Sequence, residues 1–374
     1  MKTRDDFVAG FSGEEPGYLD YAHVGPLSVT AREERQVVEQ ALGHVRFGTV
    51  DRLRDEDERF RRVVSALTGF PPDQVSFQPN TSTGLMHATF GLTGGEVLLS
   101  SHEFPSLTYA AVRASQALHV IEPAWLSDGS GWVTPSIIRE HLTSTTSAVL
   151  VSLVDSRTGY VVDLDGIRQV IGDRLLIVDA IQGFGVVDAP YELADVVVSG
   201  GQKWVRSGWG TGFLAVSDRA CEHLTPVFSG WTGASASGSP TWDSVDEPLR
   251  DARAFTVSHP DIVAQAGLAG ALEEIAEVGV STISTALAAG VDRVMALADA
   301  FGIPVSSPRA LTERAGIVVF DLEPERVSAL AASFFNHGVT ATIRPTGVRL
   351  SVHAGTNDET FDMLRAALIA FTAL

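Results

Sequence analysis

The chain has 374 residues, 45% of them hydrophobic, so it can bury a large core and form one large and one smaller domain. Its net charge of −19 argues against nucleic acid or an anionic membrane surface as a partner, because both require clustered positive charge. The single cysteine, Cys221, excludes an internal disulfide framework and a multi-cysteine zinc site. The first residues lack an apolar signal segment, and we expect a soluble protein of the reducing cytoplasm without a bound metal.

Short apolar runs alternate with segments of helical period from about residue 28 to residue 220. This alternation is typical of β–α units around a mostly parallel sheet that is buried on both faces. In chain order the apolar runs are VSF, VLLSS, AVLVSLV, LLIVDA, DVVVSG and GFLAV. The sequence therefore predicts an α/β fold for a large domain at residues 18–255.

The remainder of the chain predicts a smaller α+β layer. Residues 231–243, WTGASASGSPTWD, are rich in Gly, Ser and Thr and indicate a loop. The predicted elements that follow are Ala-rich helices at 261–277 and 281–300, strands IVVFDL, VTATI and VRLSV, and helices near 324–336 and from 358. We place a small C-terminal domain at residues 256–374 and expect residues 1–17 to pack on it.

Lysine is almost absent from the chain. The 27 basic residues comprise 25 Arg and two Lys, Lys2 at the start and Lys203 in the interior of the sequence. A lysine amine can lose its proton and form a Schiff base with a carbonyl, which an arginine cannot do. Lys203 is therefore either a covalent catalyst or a leftover surface charge, and its context must decide between the two.

Polar residues stand at the ends of the predicted strands, where ligands bind in sheets of this kind. The run LLIVDAIQG ends on Asp179 and continues to Gln182, and DVVVSGGQK ends on Ser199 before Gln202 and Lys203. A carboxylate at such a position can also cap the next helix, and for Asp179 taken alone that structural role is the favoured interpretation.

The segment SFQPNTSTG places Thr81 and Ser82 at the start of an amphipathic helix. Hydroxyl and amide groups at a helix N-terminus can bind an anion, although Ser and Thr are also ordinary helix caps. Pyridoxal phosphate needs a lysine for its Schiff base, a carboxylate that keeps its pyridine nitrogen protonated, and donors for its phosphate. The combination predicts pyridoxal 5′-phosphate as the cofactor.

Five segments, in order, carry a family resemblance: YLDYAHVGPLS, SFQPNTSTG, DAIQGFG, SGGQKW and VRLSVHAGTND. Over nearly its whole length the chain resembles fold-type I pyridoxal-phosphate enzymes of the class V aminotransferase group, which includes cysteine desulfurases, kynureninases, isopenicillin N epimerase-like proteins and ergothioneine-pathway C–S lyases. The resemblance implies a large cofactor-binding domain with a mostly parallel seven-stranded sheet flanked by helices. It also implies a homodimer with shared active sites.

The resemblance assigns a role to each candidate cofactor residue. Lys203 would form the Schiff base and then move the proton at the substrate Cα, Asp179 would pair with the pyridinium nitrogen, and Gln182 would bind the phenolic oxygen. The phosphate ligands would be Thr81, Ser82, Ser199 and Gln202. Phe104 would stack on the cofactor ring, where many members place a His, unless it is core filler. Ser156 stands where relatives often carry an Asn near the cofactor oxygen.

The substrate would be held by arginine. Arg349 aligns with the arginine that binds the substrate α-carboxylate, and Arg344 would approach the same region if the strand reverses between them. Arg157 either reaches a substrate acid or lies at the surface. The partner-subunit contacts would come from Ser258 and His259, and from residues between Trp231 and Ser235.

One departure from the family concerns cysteine. Desulfurases present a cysteine from a loop of the small domain, but residues 322–348 contain none, and Cys221 lies in a different region. We therefore expect an aminotransferase or epimerase-like enzyme that acts on a small or acidic amino acid through an external aldimine. A C–S β-lyase is the alternative. A non-catalytic cofactor-binding sensor would have little need for Lys203, Asp179 and Arg349 together, and the chain lacks the glycine motifs of nucleotide-binding folds.

Overall fold

The structure, a computed structural model, describes residues 3–127, 131–234 and 242–373, so that Lys2 and Ser235 lie outside it. Its large sheet consists of β1 (Val75–Phe77), β2 (Glu96–Ser100), β3 (Glu122–Leu126), β4 (Thr146–Ser152), β5 (Leu175–Asp179), β6 (Val196–Gly200) and β7 (Gly212–Val216). The strand order is β1-β7-β6-β5-β4-β2-β3, and only β7 runs antiparallel to its neighbours. The prediction of a mostly parallel seven-stranded sheet is confirmed.

Helices cover both faces of this sheet. The helices up to residue 234 are α1 (Arg4–Ala9), α2 (Val29–Gly43), α3 (Thr49–Leu53), α4 (Asp55–Thr68), α5 (Thr81–Phe90), α6 (Pro105–Arg113), α7 (Pro135–His141), α8 (Leu164–Ile171), α9 (Asp218–His223) and α10 (Trp231–Ala234). Side chains from α4 and α8 pack with one face of the strands, and side chains from α5 and α6 pack with the other. Because both faces are covered, β5 and β6 are buried along their whole length.

Two long helices, α11 (Ile262–Val278) and α12 (Val280–Ala300), lead into the C-terminal part of the chain. There, β8 (Ile317–Asp321), β9 (Thr342–Arg344) and β10 (Gly347–Ser351) form an antiparallel sheet in the order β8-β10-β9, which packs with α13 (Pro324–Asn336) and α14 (Asp358–Thr372). This confirms the small α+β layer. The boundary between residues 255 and 256 remains a prediction, since α11 packs closely on α2 and α4.

The N-terminal segment touches both parts of the molecule. The amide of Gly17 donates to Thr360 Oγ1 of α14 at 2.9 Å, and its carbonyl accepts from the amide of Thr340 at 2.8 Å. Glu14 forms an ion pair with Arg206, six residues beyond the end of β6 at Gly200. The segment therefore fastens the small sheet to the edge of the large one where the candidate site lies.

Two features differ from what the sequence indicates. Trp231–Ala234 form a short helix rather than a loop, and residues 235–241 are outside the described ranges. Helix α12 is long and apolar enough to cross a membrane by length and composition, although the sequence predicts no such span. It packs in this structure against β8, α11 and α14.

Candidate active site

Lys203 lies just beyond the carboxyl end of β6 and is 9% exposed. The N-terminal segment packs directly against its backbone: Gly25 donates to Gln202 O at 2.8 Å, and a Cβ atom at Gly25 would lie 2.1 Å from Lys203 O. Burial lowers the pKa of Lys203 to about 8, Asp179 and Asp20 raise it, and Arg349 lowers it. Near neutral pH the uncharged, nucleophilic form is the minority, but it is far more populated than for an ordinary lysine.

Asp179 ends β5, the strand next to β6, and its side chain is buried. Its Oδ1 accepts from the amide of Ile181 at 3.0 Å, whereas its Oδ2 has no hydrogen-bond partner within the described part of the chain. Burial raises the pKa of Asp179 to about 6, and the Ile181 amide and Lys203 act in the opposite direction. A buried carboxylate oxygen without a donor is costly, so the site fits a ligand that brings a proton to it.

A pocket for an anion lies at the N-terminus of α5. Thr81 Oγ1 is buried there and has no partner among the residues that the structure describes. At Gly200 a Cβ atom would lie 3.1 Å from Thr81 Oγ1 and 2.3 Å from Gln202 Oε1, so glycine keeps this space open. Ser82 Oγ lies nearby in sequence and is 2.7 Å from Ser106 Oγ of α6. The structure thus brings Thr81 and Gln202 together beside a helix start that favours phosphate.

Ser199 does not join this pocket. Gly200 and Val198 face α5, since a Cβ atom at Gly84 of that helix would lie 2.5 Å from Val198 Cγ1. Side chains alternate along a strand, so Ser199 points to the opposite face, and its Oγ donates to Gly200 O at 3.2 Å. The predicted phosphate contact through the Ser199 hydroxyl is not supported by this geometry.

Gln182 is held by protein groups at both ends of its amide. Its Nε2 donates to Ala22 O at 2.9 Å, and its Oε1 accepts from Trp204 Nε1 at 2.9 Å. The side chain therefore ties the N-terminal segment to the residue that follows Lys203. One amide hydrogen is left over, and its contact with the cofactor's phenolic oxygen remains a prediction.

Phe104 precedes α6 and lies beside the lysine. Its ring centroid is 5.3 Å from Lys203 Nζ, and 44% of the residue is exposed. An exposed ring next to the amine is unlike core filler and fits stacking on a flat aromatic ligand.

Glu103, which the sequence interpretation missed, is a half-buried acid next to Phe104. Its carboxylate accepts from the Ser152 amide at 3.1 Å and from the Ser152 hydroxyl. Burial raises the pKa of Glu103 to about 7, with Ser152 lowering it and the charges of Asp179 and Asp155 raising it. Ser152 pairs with Asp179 across β4 and β5, so Glu103 joins the start of α6 to the strand end that carries Asp179. The sequence signal that could have identified Glu103 is an acidic residue shortly after the end of β2.

Arg349 on β10 is buried, and its contacts reach across to the large domain. It donates to Ser156 O at 3.1 Å and to Thr342 Oγ1 at 3.0 Å, and it lies 3.7 Å from Asp20. Its Nε has no partner within the described ranges. Burial and Arg344 lower the pKa of Arg349 to about 10, and Asp20 opposes them.

Arg344 comes to the same place because β9 and β10 pair antiparallel. It donates to Ser156 O at 2.9 Å and to Arg157 O at 3.0 Å. The predicted approach of Arg344 to the Arg349 region is therefore confirmed. Ser156 enters the site through its backbone carbonyl, which both arginines bind, and the predicted role of its side chain stays untested.

Two segments are expected to reach a partner subunit, one beginning at Trp231 and one containing Ser258 and His259. They are in contact with each other in the structure. The rings of Trp231 and His259 are 4.9 Å apart in an edge-to-face arrangement, and Ser258 precedes His259 in the sequence.

Cys221 lies on α9, where burial and the charges of neighbouring aspartates raise its pKa to about 12. Such a thiol is protonated at neutral pH and is not an activated nucleophile. The described residues contain no cluster of His, Cys, Asp and Glu that could hold a metal.

Comparisons with known proteins agree on one family. A model of the family described as aminotransferase class V matches residues 40–370. A kynureninase from Deinococcus radiodurans is 26% identical over 325 residues, which cover 81% of this chain and 77% of that protein.

Two solved structures share the fold. A cysteine desulfurase from Thermococcus onnurineus superposes with a TM-score of 0.84 at 19% identity, covering 98% of this chain and 97% of the other. The cystine C–S lyase C-Des, in complex with its product cysteine persulfide, gives a TM-score of 0.84 at 19% identity, with 96% and 98% covered. In another structure of that lyase, glycine is covalently linked to the pyridoxal-phosphate cofactor.

Proposed function

The chain belongs to the class V aminotransferase family of pyridoxal-phosphate enzymes, and from this premise we propose that it acts at the α carbon of an amino acid in an aminotransferase or epimerase-like reaction. The observation that carries the proposal is that two unusual groups interact electrostatically. One is Lys203, a buried lysine of lowered pKa, and the other is Asp179, a buried carboxylate with one oxygen that lacks a hydrogen-bond partner among the described residues. A structural salt bridge would have no need of a free, buried carboxylate oxygen.

The residues present fit the cofactor at both of its ends. Asp179 Oδ2 would hold a proton at the pyridine nitrogen, and Thr81, Ser82, Gln202 and the amides at the start of α5 would hold the phosphate. When bound, the cofactor supplies an electron sink for the charge left at the substrate Cα. Asp179 Oδ2 and Thr81 Oγ1 have no partner in the described part of the protein, whereas Ser82 Oγ would have to give up its contact with Ser106 Oγ.

The other site residues bind the substrate and move one proton. Arg349 would bind the α-carboxylate through its Nε, which has no partner among the described residues, and its remaining Nη hydrogens. The Lys203 amine would take the proton from the substrate Cα, since its lowered pKa lets it act as a base near neutral pH. Phe104 covers the amine and limits access of water from that side.

Loss of a group at Cβ is the second candidate reaction. A C–S β-lyase needs the same steps up to and including removal of the Cα proton by Lys203. This activity is considered because a protein of the same fold, C-Des, is a cystine C–S lyase. A desulfurase is disfavoured, because residues 322–348 contain no cysteine and Cys221 has a protonated thiol. No residue of the site distinguishes transamination, epimerisation and elimination, so products must be measured.

We further propose a homodimer in the cytoplasm. Large apolar side chains are exposed around residues 227–257, among them Phe228, Trp231, Trp242 and Val257. A second copy of the chain would cover them and bring Ser258 and His259 towards the partner's cofactor phosphate. The single cysteine is consistent with a reducing compartment.

The experiment is a visible absorption spectrum of the purified protein beside its Lys203→Ala variant. We expect a band of lysine-bound pyridoxal phosphate in the wild-type protein and its loss in the variant. Addition of amino acids one at a time should change the band, and assays for keto acid, D-amino acid and pyruvate plus thiol identify the reaction. A band that no amino acid changes would indicate a sensor, and a colourless protein that takes up no cofactor would overturn the proposal.

A further inference from the structure

Positive charge is concentrated on one side of the site, in a protein whose net charge is −19. Arg157, Arg344 and Arg349 meet at the turn that follows β4, although they come from the large domain and from two strands of the small sheet. We call these three residues the arginine cluster. Like charges repel one another at short range, so such a cluster is costly unless an anion accompanies it.

The closeness of two members follows from a shared acceptor. Ser156 O accepts from Arg344 Nη2 at 2.9 Å and from Arg349 Nη1 at 3.1 Å, so these two nitrogens are separated by no more than the sum of those distances. The third member is joined through its own backbone, because Arg344 also donates to Arg157 O at 3.0 Å. The guanidinium groups of Arg344 and Arg349 thus meet at Ser156 O, and Arg344 also touches the backbone of Arg157, whose charge acts on it.

The cluster is oriented relative to the reacting lysine through Arg349. Of the three arginines, Arg349 is the one whose charge lowers the pKa of Lys203, and it shares the acceptor Ser156 O with Arg344. We therefore take Arg349 as the member of the cluster that faces the substrate Cα, with Arg344 beside it. A substrate bound through its α-carboxylate at Arg349 would extend its side chain past the other two.

The carboxylates that face the cluster do not neutralise it. Asp155 pairs with Arg157 at 2.9 Å, and Asp20, which already accepts from Thr342 Oγ1, lies 3.7 Å from Arg349. Two acids thus face three guanidinium groups and the amine of Lys203, while Asp179 is reserved for the pyridine nitrogen. Glu103 lines a cavity with Asp155 and Arg157, but its pKa is raised to about 7, so it is only partly charged near neutral pH. One α-carboxylate would neutralise one of the excess charges and leave another.

Donors remain for a second anion. A guanidinium carries five N–H donors, and the described contacts of Arg344 use two of them, both to backbone carbonyls. Arg349 Nε and Arg157 Nε are buried without partners within the described ranges. Planar donor groups of this kind suit carboxylate and related oxyanions.

We propose that the substrate is an amino acid whose side chain carries a second acidic group, with Arg349 binding the α-carboxylate and Arg344, assisted by Arg157, binding the side-chain acid. This inference rests on the proposed function, since it takes Lys203 as the point where the substrate reacts. It narrows the substrate class from small or acidic amino acids to acidic ones.

The test is a titration of the holoenzyme's visible band with acid and amide pairs of the same shape, aspartate against asparagine and glutamate against glutamine. We expect the better acid to bind at least about tenfold more tightly than its amide, because a charged partner strengthens each hydrogen bond. Arg344→Gln should abolish most of this difference in affinity between acid and amide. Free alanine, which has no side-chain acid, should still change the visible band of this variant. Arg349→Gln should weaken the binding of all amino acids.

Arg365→Gln, at an exposed position on α14, is the matched control and should leave the acid-to-amide ratio as in the wild-type protein. An amide that binds as tightly as its acid to the wild-type holoenzyme overturns the inference, whatever the variants do. An unchanged ratio in Arg344→Gln overturns the assignment of Arg344. Absence of the visible band altogether is a different result, which overturns the proposed function itself.

Discussion

Asp179 and Lys203 stand at the ends of neighbouring parallel strands, and each shifts the pKa of the other in the direction that favours its charged form. Burial opposes both effects and is the larger influence on each group. The pair is therefore held in a state where neither charge is fully compensated, which suits groups that must accept a ligand between them.

Replacement of Asp179 by Asn should leave a protein that binds the cofactor but turns over substrate at least about 100-fold more slowly, because the carboxylate that holds the proton at the pyridine nitrogen is lost. The measurement is turnover of the best amino acid from the spectral panel, beside the cofactor content read from absorbance. Activity close to that of the wild-type protein would contradict the assigned role of Asp179.

The rate at which the apoprotein takes up pyridoxal phosphate should rise with pH and level off above about 8, because only the neutral Lys203 amine attacks the carbonyl. Asp179 raises the pKa of this lysine, so Asp179→Asn should move the rise to lower pH. Absorbance traces of uptake between pH 6 and pH 10, compared with the reaction of free lysine, give both curves. An uptake rate that follows the free-lysine curve would show that burial does not tune the amine.

Thr81→Val removes the orphaned hydroxyl of the anion pocket while keeping the shape of the side chain. We expect an affinity for pyridoxal phosphate reduced about tenfold, the effect of one hydrogen bond to a charged group. Ser199→Ala is the matched control, since its side chain points to the other face of β6 and should leave the affinity unchanged. Equilibrium titration of the two apoproteins with pyridoxal phosphate measures both affinities. A loss of affinity in Ser199→Ala but not in Thr81→Val would mean that the phosphate lies on the Ser199 side.

Glu103→Gln tests the half-buried acid that precedes α6. The pKa of Glu103 in the folded protein is raised to about 7, so its stabilising contribution is present in full below about pH 4.5 and is lost as pH rises through 7. Relative to wild type, the neutral variant should therefore become more stable as pH increases from 5.5 to 8.5. Urea unfolding of the two apoproteins at both pH values measures this, with the exposed Glu140→Gln as control. A pH-independent difference would show that Glu103 is not titrating in this range.

Local patterns in the sequence were sufficient to identify the sheet and the principal groups of the site. The apolar runs that end at Asp179 and Gly200 show where buried strands stop, and the isolation of Lys203 among arginines marks it as chemically distinct. Thr81 directly follows Asn80, a residue type that commonly caps helices and whose side chain caps the helix that begins there. These features depend on residues a few positions apart, so the order of amino acids determines them directly.

Only the tertiary structure decided which side chains meet. The face to which Ser199 points depends on where α5 packs, and the partners of Gln182 come from Ala22 and Trp204, far away in sequence. The contact between Arg344 and the carbonyl of Ser156 joins residues 188 positions apart. Hydrogen bonds and burial between distant segments arise from packing of the whole chain, which no local spacing encodes. For that reason the charge of the arginine cluster became apparent only in three dimensions.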